Sequence, residues 1–308
     1  MKKRYYAVMF SLILTLLCCC LTGFAAADDG PPVTMEVSSI YGEIGKMGVH
    51  VPITVKLYGQ SSAVFDGTLA IQTLENAAEQ GTEVYEYLYP VTISTGETKE
   101  LQLYVPLGQR SSEIHVMLTD NSGMTVGAET MFFDISRDMG RLLIGVLADR
   151  EEELLYLDGA SLDYGMVQSK LVFLDAKVFP VDIRGLEMLD ILVINHFETD
   201  RLSDEQRTIL MAWVEDGGTL LLGTGATAYS TLGPLAEGLV ELPIGGMFYT
   251  KVNLGTEYEE KAPGDSDITM VCAELEISGG TVVEENDGIP LLTMVERGEG
   301  KIGIYCYD

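Results

Sequence analysis

The sequence predicts two packed domains in succession, a β-sandwich and then an α/β domain built on a parallel sheet. Three observations carry this. Between residues 32 and 137, apolar and polar residues alternate in short runs separated by turn residues, the period of strands with one face in and one face wet. From Leu142 onward the apolar runs become continuous, as in LLIGVL from Leu142 to Leu147, the mark of strands buried on both faces. Asp190 to Ala228 then reads as one complete strand–helix–strand unit. A length of 308 residues suits two domains, and 47% apolar content is ample for packed cores.

Taken in order, the chain opens with Lys2, Lys3 and Arg4, an apolar run from Ala7 to Leu21, and Ala25-Ala26-Ala27 before Asp28. That order predicts a secretory signal peptide over residues 1–27. An uncleaved membrane anchor is the alternative, since the run nearly reaches spanning length. Cys18 follows Leu17, where a lipobox needs a small residue, so lipidation is not expected. The mature protein is therefore placed outside the cytoplasm. The whole chain carries a net charge of −28, and loss of residues 1–27 would remove three bases and no acid. A surface this acidic repels nucleic acid and anionic headgroups. Membrane contact is expected only through an uncleaved N-terminal helix or a segment missing from this chain. Cys272 and Cys306 would be the only cysteines of the mature chain; an oxidising compartment allows a bridge between them but does not require it.

Seven strands are predicted for the first domain: Val33 to Tyr41, His50 to Tyr58, Thr68 to Thr73, Glu83 to Ser94, Lys99 to Val105, Glu113 to Thr119 and Met124 to Ile135. Turn residues separate them at Gly59, Asp66-Gly67, Thr95-Gly96, Gly108 and Asn121-Ser122-Gly123. Seven short strands in this span predict an immunoglobulin-like sandwich over residues 32–137. His50 and His115 fall in these strands and are read as ordinary surface or core histidines.

Ser136 to Gly140 is the expected hinge, and residues 139–308 form the second domain. Glu151 to Leu157 is a short helix with acids at its positive end, and Lys170 to Leu174 a strand. Gly185 to Leu189 is a helical link. Ile191 to Ile194 is a buried strand; Ser203 and Gln206 make a capping box. Ile209, Leu210, Trp213 and Val214 give the helix one apolar stripe, with Trp213 buried beneath it. Gly217-Gly218 supplies the stop, and Thr219 to Leu222 is the next strand. Met247 to Val252, Ile268 to Ile277 and Thr281 to Glu284 look like antiparallel additions, and Pro290 to Val295 with Lys301 to Tyr307 like a hairpin. A parallel-sheet strand normally continues into a covering helix. Since this chain stops two residues after Cys306, it is read as truncated.

The segments Leu189 to Asn195, Leu202 to Gln206 and Trp213 to Gly225 (WVEDGGTLLLGTG) resemble the class I glutamine amidotransferase-like domain, and more closely its degenerate copies in uncharacterised envelope proteins of Gram-positive bacteria. The resemblance implies a flavodoxin-like parallel sheet over roughly residues 139–308. It extends more loosely to the sandwich through Val51-Pro52-Ile53 and Leu103 to Pro106. Catalytic members carry a cysteine on a strand-to-helix elbow, with a histidine and an acid later in the chain. Here Thr224 stands at the matching elbow and no histidine follows His196, so the resemblance implies a domain without that chemistry.

Ligands of open α/β sheets bind beyond the carboxyl ends of the strands. That rule brings Asp149, Arg150, Asp175, His196, Glu198 and Thr224 to one rim, with His196 and Glu198 as a proton-transfer pair should they converge. Gly223-Thr224-Gly225-Ala226-Thr227-Ala228 fits the loosest dinucleotide fingerprint, but it follows a later strand and sits in an acidic chain, so it is read as a tight turn and no nucleotide is expected. Asp265-Ser266-Asp267 and Glu284 to Gly288 lack a calcium-loop pattern and are read as charged turns. No metal and no cofactor are expected. The leading reading is a non-catalytic extracytoplasmic binding or scaffold protein of the bacterial cell envelope, with an envelope protein or glycan as partner. The rivals are a secreted hydrolase using the rim around His196 and Glu198, and a carbohydrate-binding module.

Overall fold

The computed structural model describes residues 31–77, 81–108, 112–135, 140–162, 165–252 and 268–308. The signal-peptide reading, most of the expected hinge and the acidic turn at 265–267 lie outside these residues.

The first domain is an antiparallel sandwich of seven strands. Strands β1 (Val33–Ser39), β2 (His50–Gly59) and β5 (Thr98–Pro106) form one sheet; β4 (Gly81–Ile93), β3 (Phe65–Ala77), β6 (Glu113–Asp120) and β7 (Thr125–Phe132) form the other, in those orders. Alternation puts Val51, Ile53, Val55 and Leu57 of one sheet against Leu69, Ile71, Ile114, Val116 and Leu118 of the other, all buried. The fourth strand pairs with the third rather than the fifth, so the layers divide three and four. Asp66-Gly67 is not a turn but lies inside β3, and β3 pairs with β4 from Phe65↔Ile93 onward. Glycine is needed there for close packing: a Cβ on Gly67 would lie 2.2 Å from the Thr119 carbonyl oxygen.

The second domain is a mixed eight-stranded sheet in the order β15-β16-β17-β12-β11-β8-β10-β9. Its five central strands are parallel: β10 (Val167–Phe173), β8 (Gly140–Ala148), β11 (Ile191–Asn195), β12 (Thr219–Gly223) and β17 (Gly300–Tyr305). Antiparallel strands flank them, β9 (Ser161–Leu162) on one side and β16 (Ile289–Arg297) with β15 (Thr281–Asn286) on the other. Asp287 and Gly288 join β15 to β16, both with positive φ (51° and 81°), as a two-residue hairpin turn requires. β13 (Met247–Val252) and β14 (Ile268–Ala273) pair as a separate ladder.

Helices are fewer than an α/β reading expects. Among the described residues only α1 (Asp204–Glu215) exceeds two turns; α2 (Ala228–Leu232) is five residues, and Glu151–Leu157 is a 3-10 helix rather than an α-helix. Seven residues before Asp158-Gly159 are too few to repay α-helix nucleation without a packed stripe, and only Leu154 of the seven is buried. Among the described residues no helix is long and apolar enough to cross a membrane.

The start of α1 is over-determined. Ser203 and Gln206 exchange the two bonds of a capping box (2.8 and 3.2 Å). The buried Gln206 amide also donates to the carbonyls of Ala176 and Phe179 (2.8 and 2.9 Å). Trp213 is buried, and its ring lies 2.4 Å from where a Cβ on Gly218 would stand, so the stop after the helix must be glycine for packing as well as for turning.

Residues 176–190 also carry the junction between the domains. The Tyr41 hydroxyl donates to the Gly185 carbonyl (2.6 Å, buried), Lys46 pairs with Asp190 (3.0 Å) and His50 with Glu187 (2.8 Å). Arg184, held by Asp182, lies over the Tyr104 ring. One apolar cluster runs through both domains, so the sandwich packs against the second domain through this segment instead of hanging from a linker.

Candidate functional site

The parity of the parallel strands divides the second domain into two faces. Leu143 and Leu147 of β8, Leu192 and Ile194 of β11, Leu220 and Leu222 of β12, and Ile302 and Ile304 of β17 point into the large cluster shared with the sandwich and α1. Ile144, Val146, Leu171 and Val193 point to the opposite face, where the buried cluster contains only one further residue, Leu154 of the 3-10 helix. Among the described residues that 3-10 segment does not span the sheet. Over the uncovered part lies a pocket of about 590 Å³, within the size range of small-molecule sites.

The floor of the pocket is apolar, formed by Val193 and Leu221 from neighbouring strands. Tyr305 and Tyr307 form one wall, their rings in edge contact at 5.2 Å. Burial raises both phenol pKa values, with Glu284 adding to the effect, so both remain neutral hydrogen-bonding hydroxyls. Leu154, Tyr156 and Leu157 line the other wall. At the carboxyl end of the strands stand Arg150, Glu153, Asn195, His196 and Asp308.

His196 follows β11 with φ of +46°, a conformation that costs a non-glycine residue energy and turns its ring onto the rim. Its Nε2 lies 3.4 Å from Asp308 Oδ2 and 3.5 Å from Glu153 Oε2. Glu153 is also held by Arg150 (3.2 Å). Asp308 Oδ2 accepts the Ala226 amide (3.1 Å).

Asn195 is only 6% exposed yet lines the pocket. Among the described residues its side chain has no hydrogen-bond partner, and its polar atoms are not sealed from solvent. The amide is therefore free to exchange solvent for a polar group placed in the pocket.

The glycines after β12 are explained by these side chains. A Cβ on Gly223 would fall 1.9 Å from Asn195 Oδ1, and one on Gly225 (φ +50°) 2.7 Å from Asp308 Cγ. The motif that fits a phosphate fingerprint therefore makes room for an amide and a carboxylate.

Of the six rim residues named from sequence, the structure brings Arg150 and His196 into the pocket. Asp149 is exposed and paired with Arg201. Asp175 is exposed and caps a 3-10 turn by accepting the Lys177 amide (3.0 Å). Glu198 is exposed, and the carboxylates beside His196 are Glu153 and Asp308 instead. Thr224 is fully buried, its hydroxyl donating to the Tyr305 carbonyl (2.6 Å). Sequence reasoning missed Glu153, Asn195 and Asp308; Asn195 and Asp308 stand at the ends of β11 and β17, the same signal that found His196. Among the described residues the pocket lining contains no Ser, Thr or Cys. Among the described residues no group of three or more His, Cys, Asp or Glu is arranged to hold a metal ion.

Among solved structures, the cytoplasmic protein STM1381 from Salmonella typhimurium LT2 is 19% identical over 65% of this chain and 85% of its own, with a TM-score of 0.33. The CARDB domain of the PF1109 protein from Pyrococcus furiosus, in complex with di-metal ions, is 12% identical over 34% of this chain and 89% of its own, with a TM-score of 0.27. A β-glucosidase from Listeria innocua in complex with isofagomine is 13% identical over 33% of this chain, with a TM-score of 0.26. This chain spans 16% of that enzyme's length. At these TM-scores none of the three likenesses assigns a fold or an activity. No curated protein matches the chain. Residues 32–133, the span of the sandwich, match the family described as Domain of unknown function (DUF8726).

Proposed function

We propose that this chain is a non-catalytic extracytoplasmic binding protein of the cell envelope, and that its second domain takes a neutral polyhydroxylated ligand, a saccharide, above the open sheet face. The observation that carries the reading is Asn195, a nine-tenths buried amide with no hydrogen-bond partner among the described residues, opening into the pocket. An amide supplies both donors and an acceptor. Beside it, Glu153 and Asp308 accept, Arg150 donates, and Tyr305 and Tyr307 offer apolar ring faces with hydroxyl ends. That mixture suits a ligand with hydroxyls at its edge and C–H groups on its faces.

The finer fold reading belongs to the same proposal. The parallel strands run β10-β8-β11-β12-β17, which in chain order is 2-1-3-4-5, the order of flavodoxin-like sheets. This supports a degenerate class I glutamine amidotransferase-like domain behind an immunoglobulin-like sandwich. Thr224 at the elbow, with its hydroxyl committed to a backbone carbonyl, supports loss of the nucleophile. The basic, apolar and small-residue order of residues 1–27 supports export.

One observation favours a second reading as a hydrolase: His196 is held at positive φ between two carboxylates. Its partners would be Glu153 and Asp308.

A thermal-shift screen of monosaccharides and disaccharides, including N-acetylglucosamine and its β-1,4 dimer, followed by calorimetry, tests the first reading. A hit should bind Asn195→Ala about 5–10-fold more weakly, the cost of about one or two hydrogen bonds. Equal affinity for wild type and variant, or no saccharide that binds, would sink it. Release of nitrophenol from aryl glycosides, lost in Glu153→Gln, would favour the hydrolase.

A further inference from the structure

Cys272 and Cys306 lie on separate elements that meet behind the pocket wall. Cys272 is in β14 and Cys306 directly follows β17; both are buried, 0% and 6% exposed, and both are free thiols here. The backbone sets them together. The amide of Ala273, the residue after Cys272, donates to the Cys306 carbonyl (2.6 Å), and Cys306 in turn donates to the Leu291 carbonyl (3.0 Å). With Leu291 the two cysteines form a small buried cluster of their own, flanked by Phe248, Met270 and Tyr307. Both side chains lie in this one cluster.

The position of the pair gives it a consequence. The Cys306 carbonyl also accepts the Gly225 amide (3.1 Å), and the Tyr307 carbonyl accepts the Thr224 amide (2.9 Å). The two residues after Cys306 are Tyr307 and Asp308, both of which line the pocket. We propose that Cys272 and Cys306 are joined by a disulfide in the mature protein, clamping the β13–β14 ladder to the tail that presents Tyr307 and Asp308. The bond forms by thiol–disulfide exchange with a small disulfide such as oxidised glutathione. One cysteine thiolate attacks it, giving a mixed disulfide and one glutathione thiol. The second cysteine thiolate then attacks the mixed disulfide at the protein sulfur, closing the protein bond and releasing a second glutathione thiol. Two electrons pass from the protein thiols to the oxidant.

Desolvation raises both thiol pKa values, Cys306 up to about 12, so few thiolates exist in the folded chain and the exchange belongs to folding rather than to the folded protein. This inference does not rest on the saccharide reading, and its test needs no ligand.

The whole chain is refolded with and without oxidised glutathione, then unfolded in guanidinium with excess iodoacetamide and no reductant. Peptide mapping assigns the result to Cys272 and Cys306, separately from Cys18, Cys19 and Cys20. In the oxidised sample neither residue should be alkylated, and one linked peptide pair, lighter by about 2 Da than the two free peptides together, should vanish on reduction. Full alkylation of both after oxidative refolding would overturn the proposal. The clamp is read separately. Reductant should lower the melting temperature of oxidised wild type and leave a C272A/C306A variant unmoved, whereas an equal response from both would overturn it.

Discussion

The two faces of the central sheet are built from alternate residues of the same strands, yet they have been put to different uses. Leu192, Ile194, Leu220, Leu222, Ile302 and Ile304 are all 0–1% exposed and belong to the cluster that includes the sandwich. One residue along in each strand the environment changes. Ile191 and Leu221 are only partly buried, and Tyr305 lines the pocket. A parallel sheet ordinarily has both faces covered by crossover helices. Here α1, α2 and the segment 176–190 pack into the cluster on one, and among the described residues a seven-residue 3-10 segment covers little of the other. The comparison teaches that strand parity separates the packed core from the proposed site: one face is packed, and among the described residues the other is open above polar groups at the strand ends.

The sharpest way to break this comparison is to truncate adjacent residues. Leu220→Ala removes a fully buried side chain and should cost about 2–5 kcal/mol in urea denaturation. Leu221→Ala, next along the same strand but on the pocket floor, should cost less than about half of that, because water already reaches the site. Equal losses would mean that the two faces are packed alike.

Gly223→Ala is the next test. The new methyl must collide with Asn195 Oδ1, so it should cost about 1–3 kcal/mol through overpacking. Asn195→Ala removes the obstacle, and the double variant should regain most of that loss, a coupling readable in a double-mutant cycle. Simple additivity would show that Asn195 does not occupy the space over Gly223.

The smallest effect concerns acid. Asp158 ends the 3-10 segment and accepts the Leu171 amide (3.0 Å), with Lys170 beside it (3.3 Å). The backbone bond from Leu171 first of all holds its carboxyl below the usual carboxylate range; burial opposes it, and the hydrogen bond and charge of Lys170 add to the lowering. The folded value is the lower one, so the unfolded chain takes up the proton first. Asp158 therefore contributes in full above the ordinary Asp pKa of about 3.9, and the contribution fades as pH falls through the depressed folded value. Asp158→Asn should flatten the acid side of the stability profile between about pH 5 and about pH 3. An unchanged slope would mean that the cover of the open face is not tied to β10 in this way.

How far the sequence could be read depended on where water lies. All seven sandwich strands were legible, because a strand with one wet face must alternate, as Val51 to Leu57 does. Asp66-Gly67 misled because a glycine demanded by close packing inside a strand looks the same as one demanded by a turn. The parallel strands and the capping box of α1 were equally plain. The site was legible only in part. The strand-end rule finds Arg150 and His196 but also gathers Asp149, Asp175 and Glu198, whose side chains are exposed and two of which are bound up in pairing or capping. Composition does not reveal that Asn195 lacks a partner, because that is a statement about every neighbour it might have had.

Hydrogen exchange with and without the tightest-binding saccharide tests the central claim most directly. Binding on the open face should slow exchange at residues 150–157, 193–196, 221–226 and 305–308, with strands β1 to β7 unchanged. Protection confined to the sandwich, or spread evenly over both domains, would contradict the account.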